Sequence, residues 1–288
     1  MSDLRTLLDK LTFHDDAGVQ KQLVDQLLKV KTRLARVRRK ILVLSGKGGV
    51  GKSAVTTQLA LALARMGKRV GILDADLNGP CVPRMLGLGD QRLTFTLDGA
   101  QPPSGPLGIR VASMAFLLDR GEPIRWKGPM DLTPVWLGMM EASVIREFLS
   151  DIAWGELDVL LFDLPPGAAA DKPPTIANLI PELEGAVVVS IPSEVALEVV
   201  KKSVVYARDL GIRILGLVEN MSGTRCPHCG DTVHPPGNGA ARLAEELGIP
   251  LCARIPLDPD LARSLDRGIP LPEEHAVSQL FMGFARKL

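Results

Sequence analysis

Three short segments of this 288-residue chain carry residue types and spacings that can do chemistry. The first is Gly46-Lys47-Gly48-Gly49-Val50-Gly51-Lys52-Ser53, which satisfies G-x-x-x-x-G-K-[ST]. Its glycines let backbone N–H groups curl around a phosphate at the positive end of the next helix. Lys52 is placed to reach β- and γ-phosphates, and the Ser53 hydroxyl to ligate Mg²⁺. The second is a pair of acidic positions, Asp74-Ala75-Asp76 and Asp163, each directly behind an apolar run. The third is Cys226-Pro227-His228-Cys229, a C-x-x-C whose two thiolates can share one centre. One pair is half of a four-ligand zinc or iron–sulfur site, and a twofold axis would complete it. Cys81 and Cys252 lie outside any ligand spacing and read as core or loop residues, while His228 and His234 read as solvated loop residues.

These segments need a frame. From residue 41 onward, short Val/Ile/Leu-rich runs alternate with longer helical patterns. Strands are expected at Ile41–Ser45, Arg69–Asp74, Ile109–Ser113, Asp158–Asp163, Ala186–Ile191, Ile214–Glu219 and Leu251–Ile255. Helices are expected near 52–66, 134–150, 193–208 and 238–247. Runs this apolar are buried on both faces, so the fold class is α/β: a mostly parallel sheet with helices on both faces. An acidic residue at the carboxyl end of such a strand stands where open α/β sheets bind ligands. Residues 1–40 read as a helical N-terminal extension ending in a basic cluster (Lys29, Lys31, Arg33, Arg36, Arg38, Arg39, Lys40), which suits a solvated helix face. Residues 41–288 read as a single domain, with the Pro/Gly-rich stretch 99–108 as a loop within it.

Composition narrows the function. Thirty-four Lys+Arg face 33 Asp+Glu, which argues against a globally basic nucleic-acid binder. Aromatics are 4% with one tyrosine, leaving little for a base-stacking platform. No apolar run approaches the ~20 residues of a membrane span, and the first residues do not read as a signal peptide. Cytoplasm is the expected compartment, where four cysteines make no disulfide framework.

The second loop lysine, Lys47, gives the loop a more particular character. GKGGVGKS resembles the deviant Walker A loop of the MinD/ParA/nitrogenase-iron-protein class, in which that lysine reaches across a nucleotide-sandwich dimer. The chain as a whole resembles the Mrp/ApbC family of P-loop iron–sulfur cluster carrier ATPases from about residue 38 to the end. The matching stretches are GKGGVGKS at 46–53, LDADLNGPCVPRMLG at 73–87, IRWKGPM at 124–130, WGELDVLLFDLPPG at 154–167, VENMSG at 218–223, CPHCG at 226–230 and IPLDPDLARSLDRGIP at 255–270.

The resemblance implies an ATP- and Mg²⁺-dependent homodimer that holds a labile [4Fe–4S] cluster and passes it to apo iron–sulfur proteins. It makes Lys47 a trans-acting catalytic group beside Lys52, and Asp76 the residue that positions attacking water. It makes Asp163 a Walker B carboxylate that holds Mg²⁺ through water, together with Ser53. Asn220 and the Pro256–Asp258 segment would recognise adenine, and Cys226 and Cys229 would bridge the cluster between subunits. No nucleic acid and no stable membrane association are implied, and slow turnover is expected.

The chain also departs from the family pattern. Residues 163–171 read Asp-Leu-Pro-Pro-Gly-Ala-Ala-Ala-Asp where the family usually reads DLPPGTGD, and Cys81 replaces a serine. The glycine-rich stretch after the cysteines is thinned to Pro236-Gly237-Asn238-Gly239. The alternative is a MinD/ParA-like positioning ATPase on membrane or DNA, with zinc at the C-x-x-C. It would draw on the stripe Val277, Leu280, Phe281, Phe284 and Leu288, which equally suits a last helix packed on the sheet.

Overall fold

The computed structural model describes residues 17–77, 79–117, 143–165, 177–226, 228–229, 231–233 and 238–288. The elements are α1 (Ala17–Leu34), β1 (Val37–Ser45), α2 (Lys52–Arg65), β2 (Val70–Asp74), α3 (Val82–Met85), β3 (Thr94–Thr96), β4 (Gly99–Gln101) and β5 (Arg110–Ser113). Then come α4 (143–151), β6 (Leu157–Asp163), β7 (Gly185–Ser190), α5 (Glu194–Asp209), β8 (Ile214–Arg225), β9 (Thr232–Val233), α6 (Gly239–Leu247), β10 (Leu251–Leu257), α7 (Pro259–Arg267) and α8 (Ala276–Ala285).

The strands run in the order β10-β8-β7-β1-β6-β2-β5, every neighbouring pair parallel, with β9 antiparallel on the end of β8. Each strand expected from the sequence is present, because β1, β2, β6 and β7 are buried almost throughout and only a two-sided cover satisfies such runs. β1 sits centrally between β6 and β7, so consecutive crossovers depart from it to both sides. The crevice at its carboxyl end is therefore the switch point where such sheets bind ligands. α2 is buried around most of its circumference, from Val55 through Leu63, held between the sheet and α8.

Several expectations need correction. The N-terminal helix does not reach residue 40: it ends at Leu34, and Val37–Lys40 are strand, paired with Leu157–Leu160. Tertiary pairing overrides local helix preference there, and acidic partners take up the charges. Arg39 forms a bidentate pair with Glu184 at 2.6 and 2.7 Å and donates to the Leu288 carbonyl. Lys40, only 2% exposed, donates to the carbonyls of Val37 (3.2 Å) and Leu34 (3.4 Å), closing the carboxyl end of α1. Val30 and Leu34 join the main core, so this end of α1 is packed against the sheet domain.

Residues 99–108 are not all loop, since β4 pairs with β3 in a small hairpin. The C-terminal stripe is α8, with Val277, Phe281 and Phe284 each 1% exposed against α2 and β10. Of the helix expected at 134–150, residues 134–142 lie outside the described residues, as do the altered segment from 166 to 171 and His234.

Candidate functional site

The glycine-rich loop leaves β1 at Ser45 and enters α2 at Lys52. Gly51, the residue before the helix, has φ 78°, a left-handed conformation that costs a residue with Cβ dearly. Space forbids a side chain as well, because a Cβ on Gly51 would lie 2.2 Å from Asn220 Nδ2. Gly46 is pinned at the other end, where a Cβ would meet Val199 of α5 at 2.8 Å. Lys47 stands half-buried between Gly46 and the exposed Gly48 and Gly49.

Asp163, at the carboxyl end of β6 and 0% exposed, is the hub of the site. Lys52 Nζ lies 2.6 Å from its Oδ1, Ser53 Oγ donates to its Oδ2 at 2.5 Å, and Thr56 Oγ1 donates to Oδ1 at 2.8 Å. The three donors come from the first turn of α2 and the residue one turn on, so all face the strand end together. Thr56 belongs to no motif in the sequence, although its place four residues after Lys52 is the signal that points to it. A hard carboxylate and a hydroxyl converging beside an ammonium suit Mg²⁺ and a phosphate chain.

Asp74 ends β2 in register with Asp163 and is also 0% exposed. Burial, then the charge of Asp163, pushes its carboxyl up to about 8 from 3.8. It accepts from the backbone N–H of Val82 (3.2 Å) and Asp76 (3.3 Å) and from the Ser113 hydroxyl (3.3 Å). Asp74 therefore organises the segment that presents Asp76, which is half-buried and accepts from the Gly79 N–H at 3.2 Å. Ser113, at the end of β5, is a second partner that no motif announced. Cys81 lies beside Ser53, with burial pushing its thiol up.

Asn220 is 6% exposed, and its Nδ2 donates to the Val50 carbonyl of the loop at 2.9 Å. Pro256 stands in β10 next to it in the sheet. Asp258 caps α7 by accepting from the Leu261 N–H at 2.8 Å.

β8 continues past Asn220 into an antiparallel ribbon with β9, pairing Thr224 with Val233 and Arg225 with Thr232. Cys226 closes that ribbon, its N–H donating to the Asp231 carbonyl at 2.7 Å. Cys226 is half-buried and Cys229 exposed. Backbone N–H groups of Cys229 and His228 point at the Cys226 sulfur, and with the Cys229 thiol they hold it below the usual thiol range. A turn that already offers hydrogen bonds to a thiolate is prepared to ligate a soft metal centre. His228 is exposed in the same turn. Cys252, 3% exposed with its thiol pushed up by burial, is a core residue.

The chain is similar to known proteins. A family model described as ParA, NUBPL iron-transfer P-loop NTPase, matches residues 36–288. An iron-sulfur cluster carrier protein of Saccharolobus solfataricus is 45% identical over 274 residues, covering 93% of this chain and 88% of that protein. The human cytosolic Fe-S cluster assembly factor NUBP2 is 43% identical over 255 residues, covering 86% of this chain and 90% of its own. Among solved structures, a nucleotide-binding protein from Archaeoglobus fulgidus in complex with ADP superposes with a TM-score of 0.72 at 38% identity. It covers 86% of this chain and 99% of its own. The cell division ATPase MinD of Pyrococcus furiosus shares the fold, with a TM-score of 0.61 at 23% identity over 86% of this chain and 97% of its own. With its loop, carboxylate hub and cysteine ribbon on this sheet, the chain belongs to the NUBPL iron-transfer P-loop NTPase family.

Proposed function

We propose that this chain is a cytoplasmic ATP-binding and ATP-hydrolysing iron–sulfur cluster carrier. It holds a labile [4Fe–4S] cargo at a homodimer interface and passes it to apo-proteins. The observation that carries the reading is the placement of both sites on one strand, with Asn220 of β8 bonded to the phosphate loop and Cys226 closing the same strand's end.

Nucleotide binding draws the Lys52 ammonium from Asp163 toward the β- and γ-phosphates, and frees the Ser53 hydroxyl for Mg²⁺. Ser53 and Asp163 would hold Mg²⁺, which would supply neutralisation of the phosphate charge. Thr56 keeps the Asp163 carboxylate aimed during the exchange. Asp76, on the segment tethered by Asp74, orients the attacking water. Lys47 crosses to the partner subunit's phosphates and offsets the charge that develops there. Asn220, with Pro256 and Asp258 of the adjoining segment, contacts adenine.

Cys226 and Cys229 supply two thiolates, and the twofold axis supplies two more. Sharing the cluster between subunits ties its release to dimer rearrangement, so the nucleotide acts by its different affinity for the two dimer states. The relatives' names, an iron-sulfur cluster carrier protein and a cytosolic Fe-S cluster assembly factor, support the cargo and the compartment. Among the described residues no helix is long and apolar enough to cross a membrane. Three of the five residues of the stripe a positioning ATPase would need, Val277, Phe281 and Phe284, are packed in the core, while Leu280 is exposed.

The test is transfer. The chain, loaded anaerobically with iron and sulfide, is mixed with an apo-enzyme that requires a [4Fe–4S] cluster. Recovery of that enzyme's activity faster than with equal free iron and sulfide is expected. Recovery no faster than with the free ions contradicts the carrier reading.

A further inference from the structure

From Val218 to Asn220 β8 pairs residue for residue with β10, and it pairs again at Thr224; between Asn220 and Thr224 it buckles. Asn220 pairs with Ile255 and Thr224 pairs with Leu257, so Met221, Ser222 and Gly223 stand opposite the single residue Pro256. Pro256 has no N–H to give the ladder, which explains why the strand bulges there. Met221 takes up the distortion with φ 54°, a left-handed conformation that non-glycine residues rarely adopt. Its Cε lies 3.7 Å from where a Cβ on Gly51 would be, so its side chain abuts the phosphate loop. The Asn220 Nδ2–Val50 O bond at 2.9 Å fixes the preceding residue to the same loop. Beyond the buckle, Thr224 is held on two sides, by Leu257 of β10 and Val233 of β9, and the ribbon runs straight into Cys226.

Strained non-glycine backbone and bulges concentrate at switch regions, where they re-aim the chain beyond them. Val50 and Gly51 immediately precede Lys52, the group that must exchange Asp163 for phosphate. A shift of those two residues is carried by Asn220 into the buckle, and the buckle sets the direction of a short, stiff ribbon.

We propose that Met221 is a positioning residue that passes nucleotide occupancy of the phosphate loop to the Cys226–Cys229 turn through the bulge in β8. This rests on the proposed function, in which the loop binds nucleotide and the turn holds the cargo. It adds the element that couples them. Met221→Gly removes the side chain from Gly51 and lets the backbone at 221 move freely between left-handed and extended conformations. Glycine suits φ 54°, so the variant folds.

The experiment uses the full, metal-free chain and tracks alkylation of Cys226 and Cys229 by iodoacetamide, read by peptide mass spectrometry. Rates are taken with and without saturating Mg·ATP, and calorimetry establishes nucleotide binding in each variant. In the wild-type chain, nucleotide is expected to change the alkylation rate at least about fivefold, the low end of ordinary coupling between sites. Met221→Gly, still binding nucleotide, is expected to bring that ratio close to one. Lys52→Ala, which does not bind, gives a ratio of one as the baseline.

A wild-type ratio near one overturns the proposal. So does a Met221→Gly ratio equal to wild type, since protection that survives the substitution comes from subunit burial rather than from β8. Failure of the chain to hold iron would defeat the carrier reading and leave this ratio measurable.

Discussion

Asp74 makes fold stability depend on pH in a way that can be worked out. Its carboxyl is 0% exposed and is pushed from 3.8 up to about 8 by burial and by the neighbouring Asp163 charge. Between those two values the folded chain keeps a proton that the unfolded chain has lost. The resulting stabilisation is complete below about pH 4 and disappears as pH rises to about 8, by at most about 1.4 kcal/mol per pH unit. From pH 5 to pH 8 the ceiling is thus about 4 kcal/mol.

Asp74→Asn removes the titration while keeping an acceptor for the Val82 N–H, at a cost of about 1 kcal/mol for the lost second oxygen. Urea unfolding at pH 5, 6, 7 and 8, without nucleotide or Mg²⁺, reads both proteins through their three tryptophans. Other titrating groups are common to the two, so the difference isolates Asp74. The wild type is expected to lose stability relative to Asp74→Asn by about 2–4 kcal/mol across this range, and the variant is expected to be the more stable at pH 8. Parallel curves would refute the assignment of a buried, protonated carboxyl at this position.

Lys52→Ala is expected to abolish ATP binding by calorimetry, because it removes the cation paired with Asp163. Lys47→Ala should bind ATP but lose hydrolysis or ATP-driven dimerisation, and equal loss of binding in both would deny Lys47 its role across the dimer. Thr56→Val, which keeps the side-chain shape but drops the bond to Asp163 Oδ1, should weaken Mg-dependent ATP binding about 10-fold or more. That is the worth of a hydrogen bond to a charged group, and an unchanged affinity would make Thr56 incidental. Lys40→Met leaves the Val37 and Leu34 carbonyls without their buried donor and should lower unfolding stability by about 2 kcal/mol. An unchanged urea midpoint would show that the carbonyls find other partners.

The sheet is legible in the sequence because β1, β2, β6 and β7 are nearly continuous apolar runs, and such runs admit few other fates. The loop is legible because its glycines and lysines are local in sequence. What escapes the sequence is non-local. Thr56 and Ser113 act through carboxylates that lie 107 and 39 residues away; spacing puts Thr56 on the same face as Lys52, but no motif names either partner. The early start of β1 is hidden by Arg38, Arg39 and Lys40, whose charges look like a helix surface until Asp158, Glu184 and Glu182 come alongside. α7 is absent from the expected helices although Asp258-Pro259 is a helix-start signal, because Asp258 serves as a cap as well as a candidate adenine contact. The buckle at Met221 needs Pro256, 35 residues later and in another strand, to explain it.

In the proposed function two chains share one cluster on four cysteines. Anaerobic reconstitution with iron and sulfide, then native mass spectrometry, counts metal and subunits in the same particle. The account predicts a dimer carrying four irons and four sulfides, lost in Cys226→Ser/Cys229→Ser while ATP binding persists. Stoichiometric zinc with no iron–sulfur absorption, or a cluster that survives the double substitution, would contradict it.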